Sequence, residues 1–205
     1  MTDNELGAFF RGQHPGALAM GRQLAQTYAF DRFRSLVDVG GGSGGLAIAA
    51  CRCCPDLTAT IIELPRVASI ARSFVHEANL DNRVRVVTGD IVERTPEGRF
   101  DVAVLRSVIQ VLGPKEAACA IHNVGHAVNA GGAIFIVGHV LKDNRLSPAP
   151  AVAMNLVFLN IYDGGQAYTE GEHRTWLVEA GFSDIDVQYG AARAGASIVV
   201  ARKVG

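Results

Sequence analysis

Two carboxylates and a cluster of glycines are spaced in this chain as a nucleotide-like ligand would require. Gly40, Gly42 and Gly44 lie in the stretch Leu36 to Gly45 (LVDVGGGSGG), directly after Asp38. Glycine there allows positive φ and a close approach of backbone to ligand. The free N–H groups that open the following helix point at whatever sits over the turn. Glu63 comes 25 residues after Asp38, where a carboxylate can accept both hydroxyls of a ribose. Asp90 ends a later strand, where it could accept from an adenine amino group. Glycines placed only for tight packing would explain the turn but not the ordered acids. The dinucleotide pattern G-x-G-x-x-G is formally met by Gly40, Gly42 and Gly45, so a nicotinamide ligand stays open at this point, although it requires neither Asp38 nor Asp90.

The elements that must position these residues follow from the apolar periodicity. Leu36 to Val39 reads as a short buried strand and Leu46 to Cys53 as the start of a helix. Leu57 to Leu64 reads as a second strand ending at Glu63, and Pro65 suits the first turn of a helix through Glu77. Arg83 to Thr88 and Phe100 to Leu105 are further strands, Pro114 to Val128 a helix, and Ala133 to Leu141 a long strand after the turn Asn129–Gly132. Glu170 to Ala180 reads as a helix ended by Gly181, and Ile185–Tyr189 with Ser197–Arg202 as an edge hairpin. Strands alternating with helices indicate an α/β, Rossmann-like, doubly wound and mostly parallel seven-stranded sheet with an antiparallel C-terminal hairpin. Before the first strand, Gly16 to Tyr28 has the pattern of an amphipathic helix that packs on the sheet or shields the glycine turn, whereas residues 1–15 are polar and mixed. The rhythm breaks between Asn144 and Thr169, as an insertion lining a site would.

Bulk properties exclude several classes. At 205 residues, 49% hydrophobic and 19% charged, the chain has the size and core of one domain. We take residues 1–205 as that domain, with an N-terminal helical segment at 1–34 and a pocket insertion at about 144–168. A formal net charge of -1 with mixed signs gives no basic face for nucleic acid and no block suited to a membrane surface. No run approaches a spanning helix, and Met1-Thr2-Asp3-Asn4-Glu5 is unlike a signal peptide, so a cytosolic location is expected. Cys51, Cys53 and Cys54 lack the C-x-x-C spacing of a thiolate metal site and read as small packing residues. His122, His126 and His173 fall on helices and read as surface residues, while His14 and His76 give no signal.

Several motifs in order resemble one family. Val37–Gly44 (VDVGGGSG), Ile62–Pro65 (IELP), Gly89–Ile91 (GDI), Asp101–Arg106 (DVAVLR), Ala130–Gly132 (AGG) and Glu179–Phe182 (EAGF) are similar to S-adenosylmethionine-dependent O-methyltransferases of the caffeate/hydroxyneurosporene type. The resemblance implies a metal-independent methyl transfer from S-adenosylmethionine to a small aromatic or polyketide-like molecule, leaving S-adenosylhomocysteine. It implies a cofactor site at Asp38, Gly40, Gly41, Gly42, Glu63, Leu64, Gly89, Asp90, Ile91 and Arg106, with the glycines at the methionine part, Glu63 at the ribose, and Asp90 and Ile91 beside the adenine. The family also carries a dimerising domain before this one, so the chain corresponds to the catalytic domain, and a homodimer would lack that domain here.

The resemblance also locates departures. Its proton-accepting histidine falls four residues beyond Arg106, at Gln110, and its two supporting acids fall at Gly138 and Ala167. Glutamine cannot act as a base near pH 7. His139, next to Gly138, is the candidate for a displaced base, and Gln110 and His139 are therefore the candidate catalytic pair. Met154, Phe158 and Tyr162 of the insertion, with Gln110 and the region before Gly16, are expected to form a large apolar substrate pocket. A relative of the same fold that binds cofactor without methylating, as a partner subunit or a decarboxylase or hydroxylase, is the alternative.

Overall fold

The computed structural model describes residues 2–205. Its elements are α1 (Asp3–Thr27), β1 (Ser35–Val39), α2 (Gly45–Cys53), β2 (Thr58–Glu63), α3 (Pro65–Glu77), β3 (Val84–Thr88), β4 (Phe100–Arg106), α4 (Pro114–Ala127), β5 (Val128–Gly138), α5 (Ala149–Ile161), α6 (Glu170–Glu179), β6 (Phe182–Gln188) and β7 (Ser197–Lys203). The strands form one seven-stranded sheet in the order β3-β2-β1-β4-β5-β7-β6. Pairing is parallel at β1–β2 and β2–β3 and antiparallel at β5–β7 and β6–β7, as the sequence led us to expect. The chain divides into two compact units, Met1–Asp90 with Phe100–Val102, and Ile91–Arg99 with Ala103–Gly205.

In the first unit, Asp38 of β1 lies opposite Ile61 of β2, and Glu63 of β2 lies opposite Thr88 of β3. Leu36, Val37 and Ile61 are wholly buried, the signature of parallel strands covered on both faces. Each such side chain contributes about 1.5–3 kcal/mol. Helix α2 is buried from Gly45 to Cys51 and so shows no polar stripe. Cys51 and Cys54 are part of this packing, and burial pushes the Cys51 thiol up to about 11.

Helix α1 is longer than the sequence suggested. It starts at Asp3, not Gly16, and passes through Pro15. A reciprocal capping box opens it: the Glu5 N–H donates to Thr2 Oγ1 and the Thr2 N–H to Glu5 Oε2. Proline normally ends a helix. Here an inward stripe formed by Phe10, His14, Ala17, Gly21 and Leu24 continues across Pro15, with the last three buried, so packing holds both halves in register.

In the second unit, β5 begins at Val128, earlier than expected, and the anticipated turn survives as Gly131 at φ 74° within it. Pairing with β7 runs from Ala133 opposite Arg202 to Gly138 opposite Ser197. The insertion is mostly helix α5, and its flanks are pinned where the Leu141 N–H donates to Tyr168 O and the Glu170 N–H donates to Leu141 O. Helix α6 opens on a capping box between Thr169 and Glu172.

His173 corrects the surface reading, being only 2% exposed. It lies four residues before buried Leu177 on the same helical face, a spacing visible in the sequence. Its Nδ1–H donates to Thr169 O at 2.8 Å, and burial lowers its pKa from the ordinary 6.5. His122 and His126 are exposed, as expected.

Two measurements test this packing. Gly44 sits at φ 71°, and a Cβ there would lie 2.6 Å from Ile61 Cδ1. Gly44→Ala should cost about 1–3 kcal/mol, read as a lower urea midpoint. A histidine whose folded pKa is depressed stabilises fully above its unfolded pKa, and that contribution is lost as pH falls toward the folded value. Urea unfolding below pH 6.5 should therefore show stability falling with acid less steeply in His173→Gln than in the unaltered chain, by up to about 1.4 kcal/mol per pH unit.

Candidate functional site

The glycine turn is held by backbone groups and one side chain. The Gly40 N–H donates to Ile62 O and the Gly44 N–H to Gly41 O, both at 2.9 Å. The Gly42 N–H donates to Glu63 Oε1 at 2.7 Å, and the Leu64 N–H donates to Glu63 Oε2 at 2.9 Å. Glu63 is 9% exposed, and burial pushes its carboxyl up while the two N–H donors pull it down. A carboxylate offers about four lone-pair directions, so two remain for a ligand's hydroxyls.

Access to the turn is uneven. Gly40 and Gly41 are half-exposed, whereas Gly42 to Gly45 are buried. The Phe10 ring covers Gly42, where a Cβ would lie 2.8 Å from Phe10 Cε1. Asp38 is buried beneath the turn, its Oδ2 2.8 Å from where a Gly41 Cβ would stand. The approachable edge is thus Gly40–Gly41, and Gly42 serves by donating its N–H to Glu63. The Gly89 N–H donates to Glu63 O at 3.0 Å, Asp90 is half-buried, and Leu64 is exposed. Half-exposed glycine backbone at Gly40–Gly41 beside a carboxylate with spare acceptor capacity fits a ribose-bearing ligand of the S-adenosylmethionine kind.

The remaining candidates belong to the second unit. Ile91 is buried, with its carbonyl accepting from Asn123 Nδ2 at 2.8 Å, and Arg106 closes β4, half-buried. Gln110 lies in a single 3-10 turn, Ile109–Val111, and is buried. A Cβ on Gly138 would lie 2.8 Å from Gln110 Oε1, so the glutamine amide fills the space that a side chain at 138 would need. Gln110, Gly138, His139, Tyr168 and His173 share a cavity of about 10 Å³, room for about one water molecule. Of the insertion's candidates for an apolar pocket, Phe158 is buried and Tyr162 is exposed, and Tyr168, which follows the insertion's helix, is buried as well.

His139 is half-buried with Nδ1 wholly enclosed and, among the described residues, without a hydrogen-bond partner, and desolvation lowers its pKa. Phe158 joins His139 to the insertion: its ring centroid is 6.0 Å from that of His139 and 6.2 Å from that of Tyr162. Met154 packs on the buried cluster of Leu141, Ala151, Phe158 and Ala167. Ala167 is fully buried, its N–H donating to Asn155 Oδ1 at 2.7 Å.

Sequence reasoning missed Tyr168 and His173 in this cavity, and His14 in the first unit. The Tyr168 hydroxyl donates to Leu112 O at 2.6 Å, and burial pushes its pKa up to about 12. Nothing in the local pattern marks Tyr168, whereas the spacing of His173 to Leu177 does mark His173.

Comparison with known proteins places the chain. Residues 2–183 match the family described as the O-methyltransferase domain. The tetracenomycin polyketide synthesis 8-O-methyl transferase TcmO of Streptomyces glaucescens is 30% identical over 166 residues, covering 81% of this chain and 49% of TcmO. Acetylserotonin O-methyltransferase of Mus musculus molossinus is 36% identical over 184 residues, covering 85% of this chain and 46% of that protein. Among solved structures, human N-acetylserotonin methyltransferase in complex with SAM superposes with a TM-score of 0.84 at 22% identity, over 100% of this chain and 57% of that one. An O-methyltransferase family protein from Burkholderia thailandensis gives 0.87 at 21% identity, over 98% and 60%. The chain spans about half the length of the curated relatives it matches. With the glycine turn, its carboxylate and the sheet order already in agreement, the chain belongs to the O-methyltransferase domain family.

Proposed function

We propose that this chain binds S-adenosylmethionine at the glycine turn and serves methyl transfer to an oxygen of a small aromatic or polyketide-like molecule, without a metal. The observation that carries the reading is the turn fastened to Glu63, in a member of the O-methyltransferase domain family. The named substrates of TcmO and acetylserotonin O-methyltransferase support an aromatic or polyketide-like acceptor. Gly40 and Gly41 would meet the amino-acid part, Glu63 the ribose hydroxyls, and Leu64, Gly89, Asp90 and Ile91 the adenine, with Arg106 near the cofactor. When bound, the cofactor supplies an electrophilic methyl group on a sulfonium.

The chain's own residues have two tasks, orientation and proton removal. Met154, Phe158 and Tyr162 orient the acceptor molecule, and the Gln110 amide hydrogen-bonds its hydroxyl. His139, kept neutral by burial, takes the hydroxyl proton at Nε2, because Nδ1 is enclosed. Orientation alone can supply ~7–11 kcal/mol in favourable cases, more than the ~10²–10⁴-fold typical of a general base. The same reading takes the protein as cytosolic, and as compatible with a homodimer.

The presence of Gln110, Gly138 and Ala167 at the family's three proton-handling positions supports a second reading, a homologue that binds the cofactor without methylating. Calorimetry with S-adenosylhomocysteine, then labelled S-adenosylmethionine with a panel of phenols, separates the two. The first reading expects binding and label transfer, the second binding alone, and absence of binding removes both. Glu63→Gln should weaken S-adenosylhomocysteine at least tenfold, having lost the charge and one of two acceptor oxygens. His139→Gln should slow transfer to the best phenol about 100-fold and abolish the acid limb of its pH–rate profile.

A further inference from the structure

The glycine turn is gripped from a side that the cofactor reading does not use. His14 Nδ1 of α1 is 2.8 Å from Ser43 Oγ, in the middle of the turn. The imidazole also stacks on Phe74 of α3, with centroids 4.3 Å apart and planes 22° from parallel. The Arg11 guanidinium stands over the same Phe74 ring at 6.0 Å. His14 is seated against the first residue of α2 as well: a Cβ on Gly45 would lie 3.1 Å from both His14 Nδ1 and His14 O. One turn earlier in α1, Phe10 covers Gly42.

These contacts fix the turn on a second flank. Gly40 and Gly42 are tied to β2 through Ile62 O and Glu63 Oε1. Ser43, which follows them, is 2% exposed, and its hydroxyl pairs with His14 Nδ1. Without the His14 ring the Ser43 hydroxyl would be a buried polar group lacking that partner, and α1 would hold the turn by packing alone, through Phe10 and Ala17. A ligand that needs the Gly40–Gly41 backbone in a fixed arrangement would then have to order it on binding, which weakens affinity.

We infer that His14 is a positioning residue for the cofactor turn: its hydrogen bond to Ser43, braced by the stack on Phe74, presets the glycine backbone for an adenosyl ligand. This rests on the proposed cofactor binding. The role is one of preorganisation, and His14 touches neither cofactor nor substrate. Burial lowers the His14 pKa, in keeping with a neutral ring that shares one proton with the serine hydroxyl.

The test uses S-adenosylhomocysteine calorimetry on the whole chain, with thermal unfolding of each variant as the control for folding. His14→Phe keeps a ring to stack on Phe74 but removes the hydrogen bond. Ser43→Ala removes the other partner, and His14→Asn restores a polar group near the position of Nδ1. Expected are dissociation constants raised about three- to tenfold in His14→Phe and in Ser43→Ala. The double variant should be no weaker than the weaker single one, and His14→Asn should lie within twofold of the unaltered protein. Wild-type affinity in both single variants, or losses that multiply in the double, would overturn the inference while leaving cofactor binding intact. Failure of the unaltered chain to bind would instead refute the proposed function, and this inference with it.

Discussion

The bond from the Gly42 amide to the Glu63 carboxylate is the contact on which the first unit's site depends. It joins the end of β2 to the turn that leaves β1, two strands already locked in parallel register. A carboxylate this enclosed is costly to leave unsatisfied, and the Gly42 and Leu64 amides answer one oxygen each. The turn is consequently shaped before any ligand arrives. About two of the carboxylate's lone-pair directions are left over, beside a turn whose Gly40–Gly41 edge is half-exposed.

The second unit handles polarity differently. Its buried polar groups gather around a cavity the size of a water molecule, where Tyr168 and His173 spend a hydrogen bond on nearby carbonyls and His139 keeps Nδ1 uncommitted. Low dielectric surroundings keep His139 and His173 neutral. Neutral imidazoles retain a lone pair that can take a proton near pH 7, which the Gln110 amide cannot do.

Much of this was legible in the residues, and the exceptions share a cause. Valine- and isoleucine-rich runs located the strands, and Pro65 with Glu77 bounded α3 to the residue. Glu63 and Asp90 were legible because their positions at strand ends follow from the alternation of strand and helix. The helix across Pro15 was not, because a local rule about proline competes with a stripe of contacts that only the folded neighbours enforce. His14 shows no local signal for a related reason: its partners Ser43 and Phe74 are far away in sequence. The burial of His173 is signalled by its spacing to Leu177, but the charged residues around it in the helix give the opposite signal of a solvated face. The small cavity was invisible, since apolar composition in the insertion says nothing about whether Phe158 lines a space or fills it.

The fit of Gln110 against Gly138 couples the two positions through one shared volume. A side chain introduced at 138 is felt first as displacement of the Gln110 amide, so its consequences depend on what occupies 110 at the time. The amide lies at the end of a flexible side chain, so a residue larger than glycine at 138 would be admitted by swinging Gln110 out of the space it now fills.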